Sequence, residues 1–65
     1  MVMHELLRRT DVERITGLSR SALYQKVKDG EFPRQVKISD NAVGWVAAEV
    51  NAWVEARIAA RDGVA

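Results

Sequence analysis

The chain reads as a mainly helical domain of about three helices with a small β-hairpin, and three observations predict it. Two short helical segments between Thr10 and Gly30 are separated by Gly17-Leu18-Ser19. Apolar–polar alternation then flanks the turn chemistry of Ser39-Asp40-Asn41, and a 3.6-residue apolar period runs from Val46 to Ile58. Sixty-five residues make a single domain, because a chain this short buries only about 60% of its unfolded surface and has a marginal core. A deep catalytic pocket is not expected of it.

Leu6 and Leu7 either add a short strand or simply pack. The first helix opens at Thr10, whose hydroxyl can accept from the Glu13 amide while the Glu13 carboxylate reaches back, a capping box. Val12 and Ile15 share one face of this helix. Gly17 ends it by taking the left-handed conformation, and Leu18 folds back onto the last turn. Ser19 caps the second helix, in which Leu23 and Val27 face inward with Ala22, and Gly30 is its stop. Arg20, Ser21, Tyr24, Gln25 and Lys28 are left on a single outward stripe. After Phe32-Pro33, which breaks any helix, Val36-Lys37-Ile38 and Val43-Gly44-Trp45 form a hairpin, with Gly44 at the exposed position of its strand. In the third helix Val46, Val50, Trp53, Val54 and Ile58 lie on one stripe, with Glu49, Asn51, Glu55 and Arg57 mostly off it. The expected organisation is a flexible amino end at residues 1–5, a domain at 6–61 and a frayed tail at 62–65.

Two helices across a three-residue joint, followed by a hairpin, describe a winged helix-turn-helix with its second helix, residues 19–29, as the recognition helix and residues 36–45 as the wing. Double-stranded DNA is the partner this implies, since guanidinium, hydroxyl, phenol, amide and ammonium groups on one stripe suit base edges and phosphates. The net charge is only +1, but residues 8–37 hold eight cations against four acids, a local +4, while residues 38–65 carry −2. The basic half is the half with the helix-turn-helix; a solvated mixed-charge surface is the plain alternative.

Arg20 and Gln25 carry the paired groups that guanine and adenine edges demand. Arg9, Arg14, Lys28 and Lys37 are expected to anchor phosphates, Lys28 being otherwise an unengaged solvent charge, and Arg34 and the hydroxyls of Ser19 and Ser21 complete the expected contacts. Tyr24 either bonds a phosphate oxygen or roofs the core. Trp45 and Trp53 sit in the apolar register and are expected in the core rather than as stacking platforms for single strands.

The exclusions are as informative. No cysteine is present, so disulfide staples and thiolate zinc sites are ruled out, which suits a reducing cytoplasm. No apolar run approaches the ~20 residues of a membrane span, and Met1 to Leu7 lacks the cationic start and apolar core of a secretory signal. His4 stands alone, Glu49 and Glu55 do not share a helix face, and Ser19 and Ser21 have no histidine base. Neither an enzyme, a cofactor nor a small-molecule substrate is expected, and the expected location is cytoplasmic.

Gly17-Leu18-Ser19-Arg20-Ser21, Tyr24, Gly30-x-Phe32-Pro33, Val36-Lys37-Ile38 and above all Val43-Gly44-Trp45 with Glu49-Val50 and Trp53 resemble the AlpA family of small prophage regulators. The likeness spans about Leu6 to Arg61. It implies the winged architecture shared with excisionases and MerR-type DNA-binding heads, no cofactor, and sequence-specific control of prophage or mobile-element transcription. Family members carry a basic residue near the wing tip, where this chain has Ser39-Asp40-Asn41 with Lys37 and Arg34 on the flank. They often have a basic residue where Gln25 sits and a capping residue where Ala48 sits; a third helix without a side-chain cap is weaker by ~1 kcal/mol. The nearest rival function is an excisionase-type recombination directionality factor that bends DNA and recruits an integrase. A protein-interaction module using the third helix as an apolar surface is a rival from another class. A domain cut from a larger recombinase is less attractive given the starting methionine. Further copies binding cooperatively on DNA are expected of so small a reader.

Overall fold

A computed structural model describes residues 3–63, so the expected flexible amino end and frayed tail fall partly outside the described residues. The order of elements is β1 (Leu6–Leu7), α1 (Arg9–Thr16), α2 (Arg20–Lys28), β2 (Val36–Ser39), β3 (Ala42–Val46) and α3 (Ala47–Asp62). This is the winged helix-turn-helix arrangement, with a strand β1 added. The sheet is antiparallel in the order β1-β3-β2, with Leu7 opposite Trp45 and Val36 opposite Gly44.

The capping box at Thr10 does not form. Strand β1 holds the chain against β3 as far as Leu7, so α1 begins at once: Arg8 is its cap residue, its carbonyl accepting from Val12 N at 3.1 Å, and Thr10 is already helical. Glu13 instead pairs with the Arg9 guanidinium one turn back. The other end is as expected, with Gly17 at φ 76° and its N–H donating to Glu13 O at 2.8 Å. Thr16 reinforces it: its hydroxyl donates to Val12 O at 2.7 Å and accepts from Leu18 N at 3.2 Å, bridging helix and joint. Ser19 Oγ accepts from Ala22 N at 3.2 Å and starts α2. Gly30, also at φ 76°, donates to Val27 O, while Glu31 N donates to Lys26 O at 2.8 Å, the paired bonds of a Schellman motif.

The three helices, strand β3 and the link after α2 each contribute one residue to a five-membered core: Val12, Leu23, Phe32, Trp45 and Val50. Ile15 does not join it and is 37% exposed, because it lies at the edge of the α1 face that Val12 centres. Trp45 is 0% exposed; its ring packs 6.1 Å from that of Tyr24, and its indole N–H donates to Pro33 O at 2.9 Å. Trp53 is half-buried, edge-on to Phe32 at 5.0 Å with the Arg57 guanidinium 6.0 Å from its ring centroid, and donates to Glu31 O at 2.8 Å. Two indoles therefore staple the otherwise irregular link between α2 and the wing.

Gly44 is buried, contrary to the exposed position expected from alternation. It lies on the central strand, where a β-carbon would stand 2.8 Å from Ile38 Cδ1 and 3.0 Å from Leu7 O, so its missing side chain admits both neighbours. Val36, its cross-strand partner, shares that outer side and is 40% exposed. The α3 stripe is buried only near its start: Val50 is enclosed, Trp53 and Val54 are half-buried, and Ile58 is 40% exposed, since the last turns outrun the sheet beneath them. The start of α3 lies two residues before the cap position expected at Ala48: Val46, expected on the helical stripe, ends β3 opposite Leu6 and is the cap residue, Ala47 donates to Glu5 O at 2.8 Å, and no side chain caps the helix. Among the described residues no helix is long and apolar enough to cross a membrane.

Candidate nucleic-acid interface

Helix α2 is fixed at both ends by the Ser19 cap and the Gly30 stop, and along its inner face by buried Leu23 with Val27. What it presents outward follows from that anchoring. Arg20, Ser21, Gln25 and Lys28 are exposed and Tyr24 is half-buried, so the outward stripe expected from spacing exists.

The wing supplies a wall beside it. Lys37 stands opposite Val43, and cross-strand partners share a side of the sheet; Val43 packs on the core, so Lys37 points toward α2 rather than away from it. A groove between α2 and the wing is lined by Lys28, Arg34, Gln35, Lys37 and the turn residues Ser39 to Asn41. A second groove, between the start of α1, α2 and the wing, is lined by Arg8, Arg9, Thr10, Tyr24 and Asn41. Asn41 to Val43 line both. The hairpin thus borders two basic hollows, both of which meet the same face of α2 through Tyr24, Val27 and Lys28.

The expected site residues are brought together unevenly. Lys28, Arg34 and Lys37 share the first groove, and Arg9 and Tyr24 share the second. The Tyr24 ring packs on Trp45, as the core-roofing alternative has it, and the residue also lines the second groove. Arg20 and Ser21 lie at the start of α2 outside both grooves, and Arg14 stands in the last turn of α1, also outside them. The Ser19 oxygen is engaged as a cap, which leaves its O–H free to donate. Arg8, Gln35 and Asn41 line the grooves without being among the residues singled out from sequence. The Arg8-Arg9 pair just before α1 is the available signal for Arg8 and the turn chemistry of residues 39–41 that for Asn41, whereas Gln35 carries no local signal.

Charge is partly compensated. Arg9 pairs with Glu13, Arg14 with Asp11 at 3.6 Å and Lys37 with Asp40 at 3.9 Å, while Arg8, Arg20, Lys28 and Arg34 have no acidic partner among the described residues. Exposed ion pairs of this kind are worth about 0–1 kcal/mol, so the paired cations remain available to a stronger anion. Gln25 also has a partner, its amide nitrogen lying 3.1 Å from each oxygen of Asp29.

Comparison with known proteins adds to this geometry. A family model described as "Prophage CP4-57 regulatory protein (AlpA)" matches residues 5–58. The chain is 41% identical over 61 residues to "Uncharacterized protein ORF88" of Enterobacteria phage P4, a match covering 94% of this chain and 69% of that protein. No solved structure matches.

Proposed function

The chain belongs to the AlpA family of prophage regulatory proteins, and from that premise we propose that it is a sequence-specific, double-stranded DNA-binding regulator of transcription of prophage or mobile-element genes. Helix α2 enters the major groove and the wing lies beside it. One observation carries the reading. A helix pinned at both ends turns a polar stripe outward beside two grooves that meet at the wing, one holding Arg8 and Arg9 and the other Lys28, Arg34 and Lys37. Cations lining both hollows beside an exposed polar helix suit the phosphates that border a groove floor.

In this arrangement Arg20 and Gln25 read base edges. Arg9, Arg14, Lys28, Arg34 and Lys37 hold phosphates, joined by Arg8, and the hydroxyls of Ser19, Ser21 and Tyr24 supplement them. Binding needs no cofactor, and a cytoplasmic location goes with it. The test is a salt titration of duplex binding followed by fluorescence anisotropy. With about four phosphate contacts, log K falls against log salt with a slope near −4 to −3. A flat response removes nucleic acid as the partner.

A further inference from the structure

Asp29 is out of place on a surface built to approach phosphates. It stands at the end of the recognition helix, where the helix dipole disfavours negative charge, and it is exposed beside Lys28. Its neighbours account for it. The Gln25 amide nitrogen sits at the same 3.1 Å from both carboxylate oxygens, one turn away along α2. A carboxylate only accepts, so the NH₂ end of the amide must face it and the Gln25 carbonyl oxygen must face away. Equal distances to the two oxygens suit one N–H shared between them, which leaves the second N–H and the carbonyl oxygen both free.

We infer that Asp29 is the positioning residue that sets the base preference of Gln25, holding its amide in the orientation that presents one donor and one acceptor to the edge of an adenine. This rests on the DNA-binding reading above. An unrestrained glutamine can flip its amide and place donors against guanine or thymine acceptors as well. Anchored by its nitrogen, Gln25 offers the donor for N7 and the acceptor for the N6 amino group of the same base. The acid therefore narrows what the helix reads, and it does so without touching the DNA.

The experiment is selection of binding sites from random duplexes with the wild-type chain, Gln25→Ala, Asp29→Ala and Asp29→Asn, each first checked for a native circular dichroism spectrum. The expected wild-type result is a site containing an adenine preferred by about 5- to 150-fold, the range of one bidentate base contact. Gln25→Ala abolishes the preference at that base pair. Asp29→Ala lowers it several-fold at the same base pair while raising affinity for random DNA, because an acid has left a phosphate-facing surface. Asp29→Asn, whose side-chain oxygen can still accept from the amide, retains more of the preference than Asp29→Ala. Unchanged base preference in Asp29→Ala, with affinity shifted uniformly, makes Asp29 a mere charge and overturns the proposal. Loss of preference at a base pair that Gln25→Ala leaves intact also overturns it, since Asp29 then reads DNA directly. A wild-type chain that selects no sequence and binds without salt dependence fails at the earlier step, the DNA-binding reading itself.

Discussion

Replacing Trp45 by alanine is the sharpest test of how this domain holds itself together. The ring is fully enclosed, packs against Tyr24 and closes the link after α2 through its bond to Pro33 O. Truncating a buried tryptophan costs about 3–5 kcal/mol, and leaving the Pro33 carbonyl without its partner adds about 1 kcal/mol. A core of this size rarely supplies more than about 3–5 kcal/mol in total. Trp45→Ala is therefore expected to be largely unfolded at 25 °C by far-ultraviolet circular dichroism, with no DNA present. Trp45→Phe separates the ring from its N–H: it should remain folded, lose about 1–2 kcal/mol and melt roughly 4–16 °C lower. A Trp45→Ala chain with native spectrum and melting temperature that lost only DNA affinity would falsify this reasoning, because the ring would then be working on the outside.

Three further perturbations probe the joint, the sheet and the stripe. Gly17→Val puts a β-branched residue at φ 76°, where a β-carbon meets nothing within 4 Å, so the penalty of ~1–2 kcal/mol or more is one of backbone conformation; a native melting temperature together with native DNA affinity would show that the joint does not need the left-handed residue. Gly44→Ala drives a β-carbon at Leu7 O and Ile38, and an overpacking loss of about 1–3 kcal/mol should appear as a lower urea midpoint, with faster hydrogen exchange in β1; an unchanged midpoint refutes the close approach. Arg20→Ala should weaken binding to the selected site by ~1–3 kcal/mol and hardly alter binding to random DNA. Equal losses on both would reduce Arg20 to a phosphate contact.

The features readable in the sequence are those decided within about one helical turn. Gly17 and Gly30 end their helices through a backbone freedom that only glycine has, Ser19 caps through an oxygen three residues from its donor, and the stripe on α2 follows from helix geometry once its ends are set. The Gln25 to Asp29 spacing belongs to this class too, although whether the amide is engaged depends on side-chain orientations that spacing does not report. The start of α1 departs from the capping-box pattern because it is settled at a distance: β1 pairs with β3, about forty residues away in the chain, and the helix begins where that pairing lets go. Alternation likewise placed Gly44 on the exposed side, although Leu7 and Ile38, from two other strands, close over it.

The kinds of element, their order and the chemistry along the recognition helix are legible in the residues alone, because propensity, capping and turn residues act locally. Tertiary structure alone decided that Lys37 faces α2, that Arg8 and Asn41 join the basic grooves, that two indoles staple the link after α2, and that α3 leaves Ile58 in solvent. Each of those depends on which distant surfaces meet when so small a core closes, and burial between segments far apart in the chain has no periodicity from which to read it.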